Sequence, residues 1–181
     1  MGMDRPQRDF PAFADDAGVM AVVEGFHAHT LPHADWTHQA HLAVGLWHVR
    51  QHGEEASKAL LRERIRRYNE AVGTPNSDTR GYHETVTLYY VWAAARYLER
   101  TAPKPLHDLV NGFVAGRLGS KAGIFEFWSR ERLFSTAARH DFLAPDLAPL
   151  SADLLHPAAR LTGAGRSRSV ARPDQSGRTS S

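Results

Sequence analysis

The chain has 181 residues, of which 42% are apolar and none is cysteine, and its formal net charge is +2. This length suits one domain with a sizeable core, and the lack of cysteine excludes disulfides, thiolate metal sites and cysteine nucleophiles. The N-terminal residues do not form the apolar core of a signal peptide, and no run of residues is apolar enough to span a membrane, so we expect a cytoplasmic protein.

The basic charge is concentrated at the C-terminal end. Residues 157–181 contain five arginines and one aspartate, so this segment carries +4 and the remainder of the chain carries −2. The basic charge thus belongs to the tail and not to a folded surface, so we expect a solvated tail and no nucleic-acid partner. The alternative is that the arginine-rich tail contacts nucleic acid or another polyanion. The composition predicts a flexible N-terminal lead-in over residues 1–16, a helical domain over 17–155 and a disordered tail over 156–181.

Apolar residues recur at helical spacing through the whole domain. We predict a first helix from about Asp16 that ends before Pro32. Asp35 or Thr37 then caps a second helix that stops at Gly53. Four further helices and an extended strap follow, at residues 54–72, 82–100, 105–118, 120–139 and 144–150. No segment alternates with period two, so the sequence predicts an all-α, compact single-domain bundle of five to seven helices.

Two histidines three residues apart open the second helix. His38 and His41 share one helix face, about one turn apart, and two imidazoles in that arrangement can bind one metal ion. Eleven histidines are present in the chain. In the absence of thiols, any metal is held by nitrogen and oxygen ligands. The alternative is that both histidines are structural and hydrogen-bonded to their neighbours.

A second polar stretch surrounds the start of the long helix. We predict that His83 completes a metal site with His38 and His41, and that Glu84 acts as the general base. The alternative is that Glu84 is a first-turn residue behind a cap at Asp78 or Thr79. Four side chains nearby are predicted to bind a substrate, although packing or capping would also explain them: Tyr82, Thr87, Tyr90 and Asn76.

These two stretches also carry a resemblance. The first is Leu31-Pro32 followed by Trp36-Thr37-His38 and His41-Leu42, and the second runs from Gly81 to Thr85. Together they resemble the shared motifs of a family of small, mostly uncharacterised bacterial all-α proteins, over roughly residues 20–150. Tyr68, Asn69 and Asn76 also match the pattern. The resemblance implies no defined activity.

The leading hypothesis is a metal-dependent enzyme, an oxidoreductase or hydrolase, that acts on a small molecule. One iron, copper or zinc ion on His38, His41 and His83 would keep open positions for water, oxygen or substrate. The second hypothesis is a metal-free enzyme in which His38 or His83, paired with Glu84, performs acid–base chemistry. The third is a non-catalytic helical module that binds a ligand or a partner, with a homodimer as one arrangement.

Overall fold

The computed structural model describes residues 12–151, and this part of the chain is helical with no strand. It contains six α-helices, which confirms the all-α prediction of five to seven. Short 3₁₀ turns lie at His33–Asp35 and Gly123–Glu126. The predicted disordered tail, residues 156–181, lies outside the described residues. The helices are α1 Asp16–His27, α2 His38–Ala71, α3 Glu84–Arg100, α4 Leu106–Ala115, α5 Arg130–Leu133 and α6 Thr136–His140.

The first helix starts where the sequence predicts it. Asp15 caps α1 by accepting a hydrogen bond from the Gly18 N–H at 2.8 Å. Just before it, Phe13 exchanges two backbone hydrogen bonds, each of 2.9 Å, with the Asn111 side chain of α4. Contact with α4 thus holds Phe13, which lies within the segment 1–16 that the sequence predicts to be flexible. Residues 1–11 lie outside the described range.

The second helix is interrupted at Gly53, where the sequence predicts its end. Gly53 has φ 78° and ψ 171°, a left-handed conformation that glycine adopts without strain. Residues 38–52 form an N-terminal segment that Thr37 caps, through a 3.2 Å bond from the Ala40 N–H. Residues 54–71 form a C-terminal segment that folds back, so that Arg64 reaches His48 at 3.3 Å.

The third helix packs most extensively against α2 and forms the centre of the core. Tyr89, Val91 and Ala93 are among its buried residues. The predicted start near Tyr82 is two residues too early. Glu84 lies in the first turn, as the alternative expects, but the cap is neither Asp78 nor Thr79. The helix begins at Glu84, and His83 is the cap.

The region after α4 differs from the prediction. Residues 120–139 do not form one helix but a 3₁₀ turn followed by α5 and α6. The side chains of Ser129 and Ser135 each accept a 3.2 Å hydrogen bond from a backbone N–H three residues later, and each starts a new short helix. The predicted strap hydrogen-bonds to this region, where the Leu147 N–H donates to the Phe127 carbonyl at 3.0 Å. No helix within residues 12–151 is both long and apolar enough to cross a membrane.

Candidate small-molecule site

A cavity of about 310 Å³ lies between the two segments of α2 and α3. This volume is at the lower end of the range for small-molecule sites, which are mostly apolar with a few polar groups. Seven of its eleven lining residues are apolar or glycine, and the other four are two histidines, a threonine and a tyrosine. The lining residues are Trp36, His38, His41, Val44, Gly45, Leu61, Ile65, Val86, Thr87, Tyr90 and Val91.

His41 is held in one orientation at the wall of this cavity. Its Nδ1–H donates to the Thr37 carbonyl at 2.7 Å, and the Trp36 ring lies against it with 3.8 Å between centroids. A carbonyl only accepts, so Nδ1 carries the proton and Nε2 carries the lone pair. Within residues 12–151 no group hydrogen-bonds to Nε2. His41 therefore offers a free, oriented base to the cavity.

The second histidine lies on the same helix face, one turn earlier. The Nε2–H of His38 donates to the Gly119 carbonyl at 2.8 Å, and its ring packs edge-on against Tyr90. Nδ1 of His38 therefore carries the lone pair. Desolvation lowers the pKa of His38, although the bond to Gly119 opposes this effect. Both imidazoles are neutral at pH 7.

Desolvation by the surrounding atoms also lowers the pKa of His41, with the bond to the Thr37 carbonyl acting against it. The residue as a whole is exposed to solvent at the mouth of the cavity. This access limits how far the pKa falls, because water still solvates the protonated ring.

His83 does not reach this pair. Its Nε2–H donates to the Leu133 carbonyl at 2.9 Å, and its Nδ1 accepts the Val86 N–H at 3.4 Å. Both ring nitrogens are thus used in capping α3 and fastening α5 to it. Residues 12–151 contain no group of three or more histidine, aspartate or glutamate side chains that could hold a metal ion. The predicted set of His38, His41 and His83 is therefore not assembled here.

Glu84 also lies away from the cavity lining. Glu84 is 4% exposed, and its carboxylate accepts hydrogen bonds from Nε and Nη2 of Arg62 and one of 2.8 Å from the Tyr82 hydroxyl. Burial alone would raise the pKa of Glu84, but the bonds from Arg62 and Tyr82 outweigh it, and the net pKa lies below its ordinary value. This carboxylate joins α2 to α3, and its predicted role as a base stays a prediction.

The four predicted substrate-binding residues divide into two pairs. Thr87 and Tyr90 line the cavity, as expected. Asn76 instead organises the loop before α3: its Oδ1 accepts the Tyr82 N–H at 3.0 Å and an Asn69 amide proton at 2.9 Å. The Tyr82 hydroxyl is committed to Glu84. Asn76 and Tyr82 therefore lie outside the cavity.

Gly45 is a cavity residue that the sequence analysis does not single out. It lies in the middle of a helical segment, where glycine is less favourable than alanine by up to about 1 kcal/mol. A Cβ built on Gly45 would meet no atom within 4 Å, so close packing does not require glycine there. The signal was an isolated glycine inside a helical pattern. The apolar lining residues carried no signal, because they follow the same pattern as core residues.

No family model, no curated protein and no solved structure matches this chain. The resemblance to the bacterial family therefore stays a prediction.

Proposed function

We propose that the cavity binds a small, mostly apolar molecule and that His41 removes a proton from it as a general base. The observation that carries this proposal is the orientation of His41. The Thr37 carbonyl fixes the Nδ1–H at 2.7 Å, so that the lone pair on Nε2 has no partner within the described residues. A base held by a hydrogen bond on its other nitrogen is the arrangement that proton transfer requires.

The apolar wall supports a proton-transfer role. Val44, Leu61 and Val91 are almost completely buried and line the cavity. Such walls exclude water from a bound molecule and strengthen electrostatic interactions with it. An imidazole that stays neutral at pH 7 is also ready to accept a proton without first losing one.

Gly45 supports the binding role. Its missing side chain weakens the helix without relieving any close contact, and its effect is to keep the cavity open. Local departures from helix preference of this kind are concentrated at functional sites.

A metal centre with two histidine ligands, in place of the predicted three, is the second candidate. His38 and His41 each carry one lone pair on the cavity side of α2, so they could supply two of the ligands of an iron, copper or zinc ion. The remaining ligands would come from water or from the bound molecule. Catalytic zinc sites use three protein ligands, and this candidate therefore ranks below the metal-free base.

The test uses 5-nitrobenzisoxazole, a small apolar bicycle. When a base removes its C3 proton, the N–O bond breaks and a coloured nitrophenolate bearing a nitrile forms. We expect saturable turnover by the wild-type protein, about 10²-fold or more above buffer. The rate should rise with pH through the pKa of His41 and level off near neutrality.

The decisive variant is His41→Leu, which should lose the turnover, whereas His33→Leu, at an exposed histidine before α2, should keep it. Equal rates in His41→Leu and wild type would refute the general-base proposal. Mass spectrometry for metals distinguishes the second candidate: about one equivalent of metal that His38→Ala/His41→Ala loses, with turnover that a chelator abolishes, would establish the metal centre instead.

A further inference from the structure

A second cluster of histidines lies on the other side of the Phe26 and Trp36 rings, which stack with 4.8 Å between centroids. Here Arg64 donates from Nη1 to Nε2 of His27 at 2.7 Å and approaches Nε2 of His48 at 3.3 Å. The two imidazole nitrogens are 3.2 Å apart. One guanidinium nitrogen therefore bridges two imidazoles.

The hydrogen bonds settle the protonation of this cluster. His48 is fully buried, and its Nδ1–H donates to the Val44 carbonyl at 2.8 Å, so its Nε2 is an acceptor. Arginine only donates, so Nε2 of His27 is an acceptor as well. Desolvation is the main cause that lowers the pKa of both rings, and that of His48 falls to about 4. Both histidines are neutral.

The consequence is an arginine whose charge is not neutralised. Two neutral imidazoles hold the Arg64 guanidinium in place, and within residues 12–151 no carboxylate pairs with it. Arginines that are fixed by carboxylates lose most of their attraction for other anions, whereas this one retains its positive charge in a set orientation.

This charge faces an open cavity of about 290 Å³. The cavity is lined by Phe26, His27, His29, Arg64 and Arg67, with no acidic residue among them. Arg67 forms a 2.6 Å ion pair with Glu63, but both side chains are mostly exposed, and exposed pairs of this kind are weak and easily exchanged. Two arginines and two histidines thus surround a space whose lining carries no negative charge.

We propose that this cavity binds a small oxyanion, namely a phosphate or carboxylate group, with Arg64 as its main ligand and Arg67 as the second. Both oxyanions accept the paired N–H groups of a guanidinium. The spacing of the two imidazole nitrogens would also suit a cation. However, the Arg64 guanidinium occupies the position between them, and repulsion by its charge disfavours a metal ion there.

The test is a titration of the full-length protein with sodium phosphate and, separately, with sodium acetate, at constant ionic strength in chloride. Binding is followed by the amide NMR signals of residues 27–29 and 64–67. We expect saturable shifts with at least one of the two anions. The anion whose shifts saturate at the lower concentration identifies the preferred group as a phosphate or a carboxylate.

Variants assign the binding to the two arginines. Arg64→Gln should weaken binding by about tenfold or more, because it removes a charge-assisted hydrogen-bond donor. Arg67→Gln should weaken binding less. Because Arg67 is exposed, the Arg67→Gln variant should stay folded even if Arg64→Gln unfolds the protein. Arg50→Gln, at an exposed arginine of the same helix, should bind as the wild type does.

Three results would overturn the proposal. One is the absence of saturable shifts with either anion in the wild-type protein. Another is equal affinity in wild type, Arg67→Gln and Arg50→Gln. The third is stoichiometric binding of zinc ions that His48→Ala abolishes and Arg64→Gln enhances, which would make the cluster a cation site.

Discussion

A substitution at Glu84 tests whether this carboxylate stabilises the fold or acts as the base. The residue is 4% exposed, and its carboxylate accepts hydrogen bonds from Arg62 and Tyr82. Glu84→Gln keeps the shape of the side chain, removes its charge and places an amide group opposite the Arg62 donors. A hydrogen bond to a charged group contributes about 1.5–3 kcal/mol, against about 1 kcal/mol for a neutral one.

We expect Glu84→Gln to lower the free energy of unfolding by about 2 kcal/mol. The bonds from Nε and Nη2 of Arg62 each weaken by about 1 kcal/mol, and the loss goes no further because the Arg62 side chain, 43% exposed, can turn to water. The assay is urea denaturation followed by circular dichroism. The matched control is Glu99→Gln on the same helix, where an exposed ion pair with Arg96 should change stability by at most about 0.5 kcal/mol.

The pH dependence gives a second measurement on the same variant. The folded-state pKa of Glu84 is lowered, so its stabilisation is present above the unfolded value of about 4.5 and is lost as pH falls through the folded value. The difference between wild type and Glu84→Gln should therefore shrink in acid. Turnover of 5-nitrobenzisoxazole should be unchanged. A variant as stable as the wild type that has lost this turnover would refute the reasoning and establish Glu84 as the base.

Three further predictions concern single positions. Gly81→Ala should destabilise the protein by more than Gly73→Ala. Both residues have positive φ, which costs alanine about 1–2 kcal/mol, but a Cβ at Gly81 would also lie 2.4 Å from the Pro75 carbonyl oxygen, whereas one at Gly73 would meet no atom within 4 Å. Urea denaturation measures both losses, and equal losses would contradict this close approach at Gly81. Gly45→Leu should keep or raise the melting temperature while it blocks turnover of 5-nitrobenzisoxazole, because leucine favours the helix and fills the cavity; unchanged turnover would exclude this cavity as the site. The folded pKa of His48 is about 4, so its contribution to stability is present above pH 6.5 and is lost as pH falls towards 4, by about 2 kcal/mol between pH 7 and pH 5. In urea denaturation, the free energy of unfolding of His48→Leu should therefore fall less over that interval than that of the wild type. An equal fall in both proteins would mean that His48 is not buried as a neutral ring.

Local patterns in the sequence predicted much of the helical framework. The apolar spacing gave α1, both segments of α2 and α3, because one helix face must face the core. Thr37 and Gly53 marked a start and an interruption correctly, since a side-chain cap and a left-handed residue act within a few positions of the chain. Residues 120–139 were predicted less well, because serine caps at Ser129 and Ser135 divide a stretch that otherwise follows a helical pattern.

The sequence by itself placed His38 and His41 on one helix face, and Thr87 and Tyr90 on one face of a second helix, because the helical period fixes which residues share a face. What only the tertiary structure decided is the environment of each polar side chain. The ring of His83 is bound to Leu133, fifty residues away, and Glu84 to Arg62, twenty-two residues away. No local pattern encodes these partners, because they depend on how helices distant in sequence cross, and that crossing is set by the packing of the whole core.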